Sequence, residues 1–115
     1  MKKVDRFKGK AYRDSDAGKL DYEGFLSPLV LERYAEYMHK NRQTAVGLRE
    51  SDNWQDGIPL PRYMKSLWRH FMHLWARHRG YNHEESESTE EDCCAILFNT
   101  MGYLHETIKQ RRSED

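Results

Sequence analysis

Apolar residues recur every three or four positions in three separate stretches of the chain, which is the spacing of amphipathic helices. In the first stretch, Val30, Leu31, Tyr34, Tyr37 and Met38 follow Ser27 and Pro28. Ser is a good N-cap and Pro suits the first helical position, so a helix is predicted to open at Ser27. His39, Lys40 and Arg42 put positive charge where the dipole favours it, and the helix should end near Arg42. In the second stretch, Met64, Leu67, Trp68, Phe71, Leu74 and Trp75 form a broad apolar stripe from about Pro61 to about Arg79, stopped by Gly80. The other face of that helix carries Arg62, Ser66, Arg69, His70, His73 and Arg77. The third helix opens with a capping box, Ser88 to Glu91, and runs through Cys94, Leu97, Phe98, Met101, Leu104 and Ile108 before fraying at Arg111-Arg112.

The intervening segments show no strand period. Residues 1–26 carry scattered lysines and the polar run ending Gly18-Lys19, and read as an irregular arm anchored by Tyr22 and Phe25. Residues 43–60, with Gly47, Gly57 and Pro59, form a long connection of the kind that is usually functional or mobile. Residues 80–87 read as an acidic linker. The prediction is an all-α fold over residues 1–115, a single small helical bundle of three main helices with an irregular N-terminal arm.

Composition adds a second copy to this picture. Of the 115 residues, 37% are hydrophobic and 33% are charged, which is few apolar groups for a solitary core. A domain of this size buries roughly two-thirds of its unfolded surface, so completion of the bundle by a homo-oligomer is expected. The 19 acidic residues balance the 19 basic ones, which argues against a protein that coats a nucleic-acid polymer, because that needs a basic surplus. One nucleotide needs only a few placed cations. Cys93 and Cys94 are the only cysteines. Adjacent on a helix, they are poorly placed to bridge, so reduced thiols and a cytoplasmic location are expected. No apolar run approaches ~20 residues, so no membrane partner is expected.

Four clusters are candidates for chemistry. Arg69, His70 and His73 share neighbouring parts of one helix surface; they suit phosphate oxygens or a metal, or else form a solvated face. Glu32, Glu36, Glu90, Glu91 and Asp92 supply carboxylates that suit Mg²⁺, which binds through oxygen ligands and substrate phosphates. Glu90 and Glu91 belong in a first helical turn in any case, which leaves Asp92 the better candidate. Asn53-Trp54, in the long connection, offers a stacking surface beside an amide, or a plug that docks the loop. Cys93-Cys94 reads as packing.

Four of these segments also carry a family resemblance. Gly18-Lys19-Leu20-Asp21-Tyr22, Asn53-Trp54 through Gly57, Pro59 and Tyr63, Ser66-Leu67-Trp68-Arg69-His70, and Glu91-Asp92 with Phe98-Asn99 resemble, in order, the motifs of the phage and bacterial dATP/dGTP diphosphohydrolase N-terminal domain family. That family looks related to the all-α MazG-type nucleotide pyrophosphohydrolases. The resemblance implies an oligomeric helical bundle that holds Mg²⁺ and cleaves a nucleoside triphosphate to a monophosphate and pyrophosphate. Taken with the residues above, the expected catalytic groups are Asp92, Glu91 and His70, and the expected metal ligands Glu36, Glu91 and Asp92. Lys19, Asn53, Trp54, Arg62, Arg69, His73 and Asn99 would bind substrate. The chain departs from the MazG pattern in spacing Glu32 and Glu36 by four, not three. It also carries Asp92 and Ala95 where the family often has His.

The leading expectation is a Mg²⁺-dependent phage-type pyrophosphohydrolase acting on purine deoxynucleotides in the host cytoplasm. The alternative is a non-catalytic protein that sequesters a signalling nucleotide, using the same cations and aromatic platform. A helical protein with no ligand is the third reading.

Overall fold

The computed structural model describes residues 4–9, 11–81 and 87–114. In chain order the elements are β1 (Val4–Arg6), β2 (Tyr12–Asp14), α1 (Tyr22–Phe25), α2 (Pro28–Lys40), β3 (Gln43–Thr44), β4 (Gly47–Leu48), a 3-10 turn (Asn53–Asp56), α3 (Leu60–His78) and α4 (Thr89–Ser113). The three main helices stand within a residue or two of their predicted starts. Ser27 Oγ accepts the Val30 amide, and both halves of the Ser88–Glu91 capping box are formed. Gly80, at φ +86°, ends α3. Its amide reaches Arg77 O and the Tyr81 amide reaches Ala76 O, the paired bonds of a Schellman stop that needs a left-handed residue. Residues 82–86 of the predicted acidic linker, and Lys2, Lys3 and Lys10 of the arm, lie outside the described residues.

The all-α expectation needs correcting. The described residues are mostly helical, but they include two small antiparallel sheets, β1–β2 and β3–β4. The arm is ordered as the β1–β2 hairpin followed by the single turn of α1, and the 43–60 connection contains the β3–β4 hairpin. Their strands are exposed almost throughout. A strand that buries neither face has no reason to alternate apolar and polar residues, so no period marked it.

The principal packing is α3 against α4. A Cβ on Gly102, in α4, would overlap the ring of Tyr63, from the first turn of α3. At the other end, Arg77 near the end of α3 pairs with Asp92 in the first turn of α4, so the two helices run antiparallel. The buried positions of the two helices are Tyr63, Asp92, Cys94, Ala95, Asn99 and Gly102. α2 lies along α4 through exposed ion pairs, Arg33 Nε to Glu90 at 2.7 Å and Lys40 Nζ to Glu91 at 3.2 Å.

The orientation of α3 splits its predicted stripe, with Leu67 and Leu74 half-buried and the remaining four residues exposed. Tyr63, His70, His73 and Arg77 turn toward α4, whereas Met64, Trp68, Phe71, Met72 and Trp75 remain exposed. The radius of gyration is 19.8 Å, against about 13 Å for a compact 100-residue domain. Among the described residues no helix is long and apolar enough to cross a membrane.

Candidate functional site

A cleft of about 440 Å³ opens between α2, the β3–β4 segment, the 3-10 turn and the α3–α4 pair. Asn53, Trp54, His70 and Asn99, from three separate segments, all line it. Trp54 is held edge-on by Phe98 and by His105, with ring centroids 6.2 and 4.9 Å away. Lys109 donates to Gln55 O, which ties the 3-10 turn to α4. Trp54 therefore docks the loop and walls the cleft at once, so its two readings were not exclusive. Asn99 is buried and donates to Ala95 O one turn earlier.

The cations of the cleft are Arg42 and Arg49. They brace one another across the β3–β4 hairpin: Arg42 Nε donates to Arg49 O, and Arg49 Nη2 donates to Asn41 O. Neither was a sequence candidate. Arg42 read as a helix-end charge, and only the hairpin brings Arg49 beside it. Tyr37 also lines the cleft, and burial pushes its phenol up to about 12. It is thus a neutral hydrogen-bonding group at ordinary pH.

Behind His70 the cleft meets a polar knot in the α3–α4 seam. Asp92 is fully buried. Its Oδ1 lies 3.3 Å from His70 Nδ1 and 3.8 Å from His73 Nδ1, while its Oδ2 accepts from Arg77 Nη1 at 2.9 Å. Arg77 also donates to the carbonyl of Glu87 and to Thr89 Oγ1, which fastens the entry of α4 to the end of α3. A buried carboxylate needs such partners, because an unpaired one would carry a large desolvation penalty. Arg77 was missed as a site residue, although His70, His73 and Arg77 fall at i, i+3 and i+7 on one helix face.

The other predicted residues are dispersed. Glu91 caps α4: the Ser88 amide, with help from Lys40, holds its carboxyl below the ordinary carboxylate range. Glu36 is exposed on α2. Lys19 is exposed in the arm, 3.9 Å from Asp16. Arg62 and Arg69 are exposed on α3 and do not line the cleft. Among the described residues, the one set of three or more His, Cys, Asp or Glu side chains that converges is His70, His73 and Asp92. Glu36, Glu91 and Asp92 are therefore not brought together within one chain. The convergent donors, two imidazoles and one carboxylate, do not fit Mg²⁺, which prefers an all-oxygen shell. Cys93 and Cys94 are free thiols, Cys94 buried.

The sequence profile of the family described as dATP/dGTP diphosphohydrolase, N-terminal, matches residues 9–115. The chain belongs to that family. Family membership places it, at the coarse level, among nucleotide hydrolases. The match takes in the 3-10 turn, the cleft and the polar knot alike. No curated protein and no solved structure matches the chain.

Proposed function

We propose that the chain is a nucleoside triphosphate pyrophosphohydrolase of phage type that acts on purine deoxynucleotides, with the cleft as its nucleotide site. The observation that carries this reading is the convergence of Asn53, Trp54, His70 and Asn99 on one cleft that also holds two arginines. In this reading Trp54 walls the base and Asn53 meets its polar edge. Arg42 and Arg49 grip the phosphates; each uses part of its guanidinium on a carbonyl, which fixes the remaining donors for bidentate contact.

The reaction forms a bond from water oxygen to the α-phosphorus and breaks the bond from that phosphorus to the bridging oxygen. Pyrophosphate leaves and the proton of water is released. Arginine side chains in a partly enclosed cleft stabilise the charge spread over the phosphoryl oxygens. His70 stands where the cleft meets the buried carboxylate, so the reacting phosphoryl group belongs at that end. Mg²⁺ enters this reading as the companion of the triphosphate, as part of the substrate, and no protein ligand is assigned to it.

The protein acts as a homo-oligomer in this reading. The exposed Trp68, Phe71, Met72 and Trp75 form the surface a second copy would cover. A second reading, nucleotide sequestration without turnover, draws support from the dispersal of Glu36, Glu91 and Asp92.

Incubating the chain with each deoxynucleoside triphosphate and Mg²⁺, following pyrophosphate release and calorimetric binding together, separates the two. Pyrophosphate release from dATP or dGTP above the pyrimidine nucleotides is the expected result. Binding without release would replace the hydrolase with the sequestering protein.

A further inference from the structure

The knot in the α3–α4 seam is only partly closed by hydrogen bonds: the one from His70 to Asp92 is long, and His73 stands beyond hydrogen-bond distance of the same oxygen. Two imidazole Nδ1 atoms, from His70 and His73, face one carboxylate oxygen, Asp92 Oδ1, at 3.3 and 3.8 Å. Good N–H···O bonds fall at about 2.7–3.2 Å. Donor atoms that share one metal ion, each about 2.0–2.2 Å from it, stand roughly 3.0–3.5 Å apart in tetrahedral or octahedral geometry. The donor atoms of all three residues lie within 4.8 Å of one another, so a small rotation of a half-buried imidazole completes the set.

We propose that His70, His73 and Asp92 form a binding site for one first-row transition-metal dication, of the manganese-to-zinc class, within a single chain. Imidazole donors select such ions over Mg²⁺ and Ca²⁺, whose sites are built from oxygens. The carboxylate is already divided for the purpose: Arg77 occupies Oδ2 at 2.9 Å, which fixes the plane of the group and leaves Oδ1 to the histidines. An outer partner that orients a ligating group in this way is a regular part of metal sites. His70 also lines the cleft, so an ion held here has its remaining positions beside the phosphate end of the proposed nucleotide site. The location beside the phosphate end rests on the proposed nucleotide site, but binding of the metal does not depend on the hydrolase reading.

The test uses untagged full-length protein loaded with Co²⁺ and passed through gel filtration, with helicity checked by circular dichroism. About one Co²⁺ per chain should be retained, with a ligand-field absorption band distinct from that of the aqueous ion. His70→Gln and His73→Gln should each weaken Co²⁺ binding by at least about tenfold, and His78→Gln, on the exposed end of α3, should leave it unchanged. Failure of the folded wild-type chain to retain Co²⁺ overturns the proposal. So does retention that survives both the His70 and the His73 substitution. Loss of pyrophosphate release with Co²⁺ binding intact would count against the hydrolase reading and leave the metal site standing.

Discussion

The two faces of α3 solve opposite problems. The inner face presents Tyr63, His70, His73 and Arg77 to α4 and meets a fully buried aspartate there. The outer face carries Met64, Trp68, Phe71, Met72 and Trp75, all exposed. Of the predicted apolar stripe only Leu67 and Leu74 are half-buried, although burying apolar area is the main favourable term in folding. The inner face therefore combines charge pairing and close steric fit with two half-buried leucines, Leu67 and Leu74, and the outer face holds uncovered hydrophobic area. Interactions of the first kind are intolerant of substitution. Those of the second kind should matter only when another surface covers them.

The largest effect should come from the inner face. Asp92→Ala removes the partner of Arg77 and both histidines, and breaking a buried ion pair in this way costs about 3–5 kcal/mol. Urea denaturation should show that loss, and pyrophosphate release should vanish with it. A stability change below about 1 kcal/mol would mean that the knot is decorative.

The outer face should respond differently. Trp68→Glu places a charge on the exposed stripe, and a buried aromatic anchor at an interface contributes about 2 kcal/mol or more to association. Sedimentation should show a wild-type oligomer and a monomeric variant of unchanged helicity. Equal sedimentation of both proteins would break the comparison, since the stripe would then have no partner.

Gly102→Ala sharpens it on the inner side. The added Cβ overlaps the Tyr63 ring, and overpacking of this kind costs about 1–3 kcal/mol. Helix propensity returns up to about 1 kcal/mol. A net loss of stability is expected in thermal melts, opposite in sign to Gly→Ala on an open helix face.

The smallest effect belongs to the rim. Glu91 has a carboxyl held below its ordinary range by the Ser88 amide and then Lys40. Its stabilising contribution is thus present above the unfolded-state value and lost as pH falls through the lower, folded-state value. Exposed pairs contribute less than about 1 kcal/mol. Glu91→Gln should lower stability slightly at neutral pH and match the wild type in acid, with the gap closing below the usual carboxylate range. A gap that stays constant with pH would show that Glu91 contributes only through the cap geometry.

The candidate site was legible to different depths. Asn53, Trp54 and His70 stood out as an amide, an aromatic and an imidazole among polar residues, Asn99 only through the family resemblance, and one cleft collects all four. Lys19, Arg62 and Arg69 were equally conspicuous and lie elsewhere. Arg42 and Arg77 were passed over because an arginine near a helix end has an ordinary reading as a dipole partner, and Arg49 because a charge in a long connection has an ordinary reading as a solvated one. Only the hairpin and the antiparallel seam give these three a second role.

What the chain determines by itself is local. Ser27-Pro28, the Ser88–Glu91 box and Gly80 place helix boundaries, because caps and stops act on backbone groups within a few residues. Tertiary structure alone decided which way α3 turns. An amphipathic stripe says that one face will be covered, but it does not say by which surface. Here α4 took a mixed face, Tyr63, Leu67, His70, Leu74 and Arg77, since Asp92 can be buried only where Arg77 and the histidines reach it, and Gly102 leaves room for Tyr63 to seat the pair. The β3–β4 hairpin was settled at the same level, by the bonds that Arg42 and Arg49 make across it, whereas β1–β2 is held by its own ladder.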